Sequence, residues 1–175
     1  MKRTALLIID VQKGLFTKKL PVYQAEAMLV NICQLAAQAH QAEAPVIYVQ
    51  HTNSTMPENT DGWQLHSHLQ PLEGDLFIHK QRGSAFEETE LHEILSSMGV
   101  QEIVVTGLVS HGCVTAACLD GVKLGYRVNL VRDGHSNFHQ KPAKIIKETH
   151  EKLEEVGVVL KATCEIQFTD PSIGK

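Results

Sequence analysis

Aromatic residues are scarce in this 175-residue chain: they make up 5% of it and include a single tryptophan, Trp63. The core must therefore be aliphatic. With 43% of residues hydrophobic there is enough apolar mass for one core, so residues 1–175 are expected to form one domain. Long hydrophobic runs are missing too. Ala5 to Ile9 is far shorter than a membrane span, and Asp10 follows it without the flanks of a secretory leader. These features predict a cytoplasmic protein with no membrane partner. Positive charge is in deficit, 16 Lys and Arg against 20 Asp and Glu, and no basic block exists to neutralise a run of phosphates. Nucleic acid is not expected as a partner. Cysteine is sparse: Cys33, Cys113, Cys118 and Cys164 contain no C-x-x-C pair, which excludes a disulfide scaffold and predicts free thiols. Glycine fingerprints are absent as well. Asp10 to Phe16 holds one glycine where a dinucleotide site needs three, and no G-x-x-x-x-G-K-[ST] phosphate loop occurs, so no cofactor is expected.

What the chain does have is an alternation of short Ile- and Val-rich runs with segments of helical period, the pattern of a parallel sheet covered on both faces. Strands are predicted at Thr4–Ile9, Val46–Val49, Leu76–Ile78, Glu102–Thr106, Arg127–Val131 and Val158–Leu160. Helices are predicted at Val22–Gln41, Glu87–Met98 and Cys113–Leu124, with a fourth opening at Pro142 and burying Ile145, Ile146, Thr149, Leu153 and Val156. Thr52 to Gly74 carries Pro57, Gly62 and Pro71 and reads as a long excursion with one helical turn at Gln64–Leu69. Loops of that length serve function or subunit contact. The tail from Thr169 to Lys175 is expected to fray.

In an open parallel sheet, ligands bind beyond the carboxyl ends of the strands where the strand order reverses. Asp10 closes the first strand, Lys80 follows the third, and Cys113 follows the fourth and opens a helix. Each alone reads as a turn, a solvated end or a packed thiol. Together they form a candidate catalytic site. A helix N-terminus and a nearby ammonium favour the thiolate, and a carboxylate can take the thiol proton and return it to a leaving amine. On that basis Cys113 is expected to be the one acidified thiol. Gly107 to Gly112 has the layout of a nucleophile elbow, whose backbone N–H groups can hold an oxyanion. His51, His111 and His135 lie at strand ends on the same edge, and Phe16 and Trp63 are candidates to wall a pocket. His66 and His68 read as solvated loop residues that converge on no metal.

Four segments resemble one family, the isochorismatase-like cysteine hydrolases, which include nicotinamidases and carbamoyl-amide hydrolases. They are Ile8-Ile9-Asp10-Val11-Gln12, Lys80-Gln81-Arg82-Gly83-Ser84-Ala85-Phe86, Gly107 to Ala116, and Gly125-Tyr126-Arg127-Val128 leading to Asp133. The resemblance implies an α/β/α sandwich of three layers with a Rossmann-like, mostly parallel sheet in order 3-2-1-4-5-6. It also implies a triad of Asp10, Lys80 and Cys113, a cis peptide between Leu108 and Val109, and an oxyanion hole at the N–H groups of Val109 and Cys113. Three departures stand out. Ser110 replaces a common threonine, Gly134-His135 follows Asp133 where alanine is usual, and Gln50-His51-Thr52-Asn53 lacks the Asp-x-His with which nicotinamidases bind metal. No metal is therefore expected.

The activity expected is hydrolysis of a C–N bond in a small amide or carbamoyl compound through a thioester, by a homo-oligomer, dimer or tetramer. Two rivals stand beside it: a member of the fold that binds without turnover, and a flavodoxin-like phospho-acceptor domain. The latter needs an acidic pair at the first strand and an aspartate at the third, where this chain has Lys80.

Overall fold

The computed structural model describes residues 3–168; the tail from Thr169 lies outside the described residues. Six parallel strands form one sheet: β1 (Arg3–Ile9), β2 (Val46–His51), β3 (Leu76–Lys80), β4 (Val100–Leu108), β5 (Arg127–Ser136) and β6 (Val159–Lys161). Their order is β3-β2-β1-β4-β5-β6. The helices are α1 (Lys13–Phe16), α2 (Ala25–Gln41), α3 (Leu91–Ser97), α4 (Thr115–Lys123) and α5 (Pro142–Glu155). Among the described residues no helix is long and apolar enough to cross a membrane.

The apolar run of β1 is continuous because both faces of the strand are covered. Ala5, Leu7 and Ile9 pack with Leu91 and Leu95 of α3, Ala117 and Cys118 of α4, and Leu153 of α5. Leu6 and Ile8 point the other way, onto Met28, Leu29, Ile32, Leu35 and Ala39 of α2. Each fully buried Leu or Ile contributes about 1.5–3 kcal/mol by area removed from water. The chain runs outward from β1 to β3, then returns to lay β4 against the free side of β1, with Ile9 opposite Gly107. Order reverses there, so the carboxyl ends of β1 and β4 diverge into a crevice. Gly107 makes the close pairing possible. Its φ is +110°, and a Cβ on it would lie 2.0 Å from the Ile9 carbonyl oxygen.

The excursion after β2 is sewn to the segment after β1. Lys13 N–H donates to the Gln64 carbonyl and His66 N–H to that of Val11, both at 2.9 Å. Gln12 Nε2 donates to the Trp63 carbonyl at 2.8 Å, and the Lys13 ammonium meets Asp61 at 2.6 Å. Gly14 lets the two backbones touch, since a Cβ there would sit 3.0 Å from the Gly62 carbonyl oxygen.

Several boundaries differ from expectation. The helical turn of the excursion is a 3-10 turn at Asp61–Trp63, not Gln64–Leu69. α3 starts four residues later than predicted: Glu88 has φ +55°, and Thr89 spends its hydroxyl on the Ala85 carbonyl (2.6 Å) while accepting from Leu91 N–H. Val156 is exposed because α5 has ended one residue earlier. α4 begins at Thr115, and Cys113 belongs instead to a π-helical turn over Ser110–Val114.

Candidate active site

Asp10, one residue beyond β1, has φ +53°, a conformation that non-glycine residues rarely adopt; its N–H is tied to the Val49 carbonyl at 2.9 Å. That pose turns its carboxylate into the crevice, where it is buried. Lys80, the last residue of β3, reaches across β2 with a side chain 0% exposed. Its Nζ lies 3.0 Å from Asp10 Oδ2, 3.1 Å from His51 Nδ1, 3.1 Å from the Arg82 carbonyl oxygen and 3.2 Å from Cys113 Sγ. Asp10 Oδ1 is buried without a hydrogen-bond partner, and an Asp10 carboxylate oxygen, a His51 ring nitrogen and Cys113 Sγ lie within 4.8 Å of one another. Acid, ammonium and thiol, read from three separate strand ends, thus share one buried cluster.

The electrostatics reverse one expectation. Cys113 is not acidified: burial, then the Asp10 charge, push its thiol up to about 12, against the pull of Lys80. Burial also raises Asp10, with Lys80 opposing. Burial thus works against the charged form of both groups, and the neighbouring Lys80 works for it. What sequence could not supply was the distance from the thiol to the carboxylate. Cys33 is raised by burial, and Cys118, buried among apolar groups, reaches about 12.

The Leu108–Val109 peptide bond is cis. The Val109 N–H has no acceptor among the described residues, whereas its carbonyl accepts from Gly112 N–H at 2.9 Å. Cys113 follows in the same turn, half-buried. Of the pocket candidates, His51 joins the cluster; burial and the Lys80 charge lower its pKa, so it faces the ammonium as a neutral acceptor. His111 is exposed beside Cys113 in sequence, its ring 6.1 Å from that of His139. Trp63 is buried and turned toward the outer strands, edge-on to His79 at 4.8 Å with its Nε1 on Thr52 Oγ1. Phe16 packs on His66 at 4.3 Å, and His66 stacks on His68 at 5.1 Å; both histidines lie in the excursion, His68 exposed and His66 half-buried. His135 lies beneath the π-helical turn, bonded to Ser110. Sequence reasoning missed Gln12. Its amide bonds the carbonyls of His51 and Trp63 and its Oε1 accepts from His51 N–H at 2.8 Å, which fixes the wall of the site. A glutamine two residues past a catalytic strand end was the available signal.

The nicotinamidase metal set does not fit here. Gln50 donates its amide to the Trp63 carbonyl, and Asn53 Oδ1 is taken by Thr55 and Met56. The one three-donor grouping among the described residues, Asp10, His51 and Cys113, is gathered around the Lys80 ammonium, which supplies the cation.

The fold itself is found in known proteins. The isochorismatase domain family matches residues 4–156, and the chain belongs to the isochorismatase family of hydrolases. It is 31% identical over 148 residues to a streptothricin hydrolase of Streptomyces noursei, covering 83% of this chain and 54% of that protein, so it spans about half its length. It is 28% identical over 164 residues to a maleamate amidohydrolase of Pseudomonas putida, covering 79% of this chain and 76% of that one. A crystal structure of an isochorismatase family protein superposes with a TM-score of 0.86 at 30% identity, covering 93% of this chain and 99% of the other.

Proposed function

We propose that the protein hydrolyses the C–N bond of a small amide or carbamoyl compound through a thioester on Cys113. The observation that carries this reading is the Lys80 ammonium, buried within 3.2 Å of both the Asp10 carboxylate and the Cys113 sulfur, with Asp10 Oδ1 left unpartnered. Asp10 accepts the thiol proton as sulfur attacks the carbonyl carbon. The developing oxyanion is met by the N–H groups of Val109 and Cys113. Collapse breaks the C–N bond, Asp10 returns the proton to the departing nitrogen, and ammonia or an amine leaves. Water then attacks the thioester with Asp10 as base, releasing the acid and restoring the thiol. The Lys80 ammonium, beside both groups, offsets the negative charge as it moves between carboxylate and sulfur. The amidohydrolase among the relatives supports the amide substrate class.

The test is ammonia release across a panel of primary amides and carbamoyl compounds, run on the native protein and on Cys113→Ala. Turnover by the native protein alone is expected. Equal turnover by both, with folding intact, would place the chemistry elsewhere, and none by either would favour a member that binds without turnover.

A further inference from the structure

The mechanism leaves a buried histidine unused, and it sits at the second departure noted in the sequence. His135, on β5, is 3% exposed. Its Nδ1 lies 2.8 Å from Ser110 Oγ, and its Nε2 lies 2.9 Å from Nε2 of His150 on α5. Ser110 is 0% exposed and opens the turn that carries Cys113. The carbonyls at the start of that turn are spent locally: that of Val109 on Gly112 N–H and that of Ser110 on Thr115 Oγ1 at 2.6 Å. The Ser110 hydroxyl is what reaches outward, to β5 and through it to α5.

We infer that His135 is a positioning residue for the nucleophile turn, holding Ser110 with one ring nitrogen while His150 fixes the other. Burial, then the charge of His150, lower His135 to about 3, so it stays neutral and presents one donor and one acceptor nitrogen. His150 therefore selects the tautomer of His135, and the tautomer sets which partner donates in the bond to Ser110. The order His150, His135, Ser110 ends one residue past the Val109 N–H and three before Cys113. A shift of about 1 Å in such groups costs on the order of 100-fold in rate.

This inference rests on the thiol-hydrolase reading, and two arms separate their failures. With an amide that the protein turns over, His135→Ala and Ser110→Ala are each expected to lower kcat about 10- to 100-fold with KM within about twofold. The double variant should be no worse than the poorer single, because the two act as a unit. His135→Asn, which keeps a nitrogen near Nδ1, should recover most of the loss. Without any substrate, iodoacetamide labelling of Cys113 at pH 9, read by peptide mass mapping, should slow in the same order while Cys164 labels at an unchanged rate. Should His135→Ala fail to fold, Ser110→Ala and His150→Ala carry the same test. Native kcat and native Cys113 labelling in Ser110→Ala and His135→Ala would overturn the inference, as would losses that multiply in the double variant. Turnover surviving Cys113→Ala would defeat the hydrolase reading instead, and the labelling arm would still decide the role of His135.

Discussion

Lysine meets carboxylate in two unlike settings in this molecule. On α5, Lys144 pairs with Glu148 at 3.5 Å and Lys147 with Glu151 at 3.7 Å, with all four side chains 53–77% exposed. At the sheet edge, Lys80 pairs with Asp10 at 3.0 Å with side chains 0% and 3% exposed. The helix pairs sit in water, which screens each charge from its partner. The buried pair cannot be solvated, so each charge depends on the other, and a thiol placed against both is drawn into the same equilibrium. Burial, rather than pairing, couples these residue types into one cluster.

Lys80→Met should break the comparison most severely. It leaves the Asp10 carboxylate buried with no cation, which costs about 3–5 kcal/mol at neutral pH and abolishes turnover. The loss has a definite sign with pH. Burial holds the folded Asp10 above the unfolded carboxylate value of about 3.9, and more so without Lys80. Its contribution is therefore favourable at low pH and is lost as pH rises through the folded value. Urea unfolding at pH 4 and pH 7 should show the variant closer to the native protein at pH 4; an equal deficit at both would contradict the account.

Gly107→Ala should come next, at about 3 kcal/mol, because a positive φ and contact with Ile9 force β1 and β4 apart. Thermal unfolding measures it. A neutral effect would show that the crevice does not depend on that close pairing.

A smaller effect concerns pH alone. Only ionised Asp10 can accept the thiol proton, so turnover should fall as pH drops through its raised value, giving an acid limb above about 3.9. A limb at or below that value would mean Asp10 is not the base. Smallest of all is Lys147→Ala on α5, expected to change stability by no more than about 0.5 kcal/mol and kcat not at all. A large effect there would erase the distinction between the two settings.

Much of the arrangement was legible in the sequence because it depends on period and position. The β1 run was readable as a strand buried on both faces, and Asp10, Lys80 and Cys113 each ended or followed a strand that the fold brings to one edge. What could not be read depended on distance. The upward shift of Cys113 comes first from burial and then from a carboxylate that follows a different strand, and no spacing reveals either.

 The Asp10 charge reaches the thiol only once β1 and β4 are paired, so the sign of that shift belongs to the folded molecule.

The late start of α3 and the π-helical turn before α4 were hidden for a related reason. Ser110 engages His135 on β5, a partner brought to it by tertiary contact, while Thr89 spends its hydroxyl on the nearby Ala85 carbonyl, and both bonds override the local helical period. His135 was visible as a departure from a pattern, but its partner His150 lies on another element, and its bond to Ser110 exists only after β5 and α5 have packed on the turn.

The central claim is that carbonyl carbon passes through a covalent bond to Cys113. Rapid acid quench during turnover of an amide, followed by intact-mass measurement and peptide mapping, tests it most directly. The expected result is an adduct of the acyl group's mass on the peptide carrying Cys113, absent from Cys113→Ala and decaying as the acid product appears. Turnover with no adduct on Cys113 at any quench time, or an adduct on another residue that forms and decays at the catalytic rate, would contradict it.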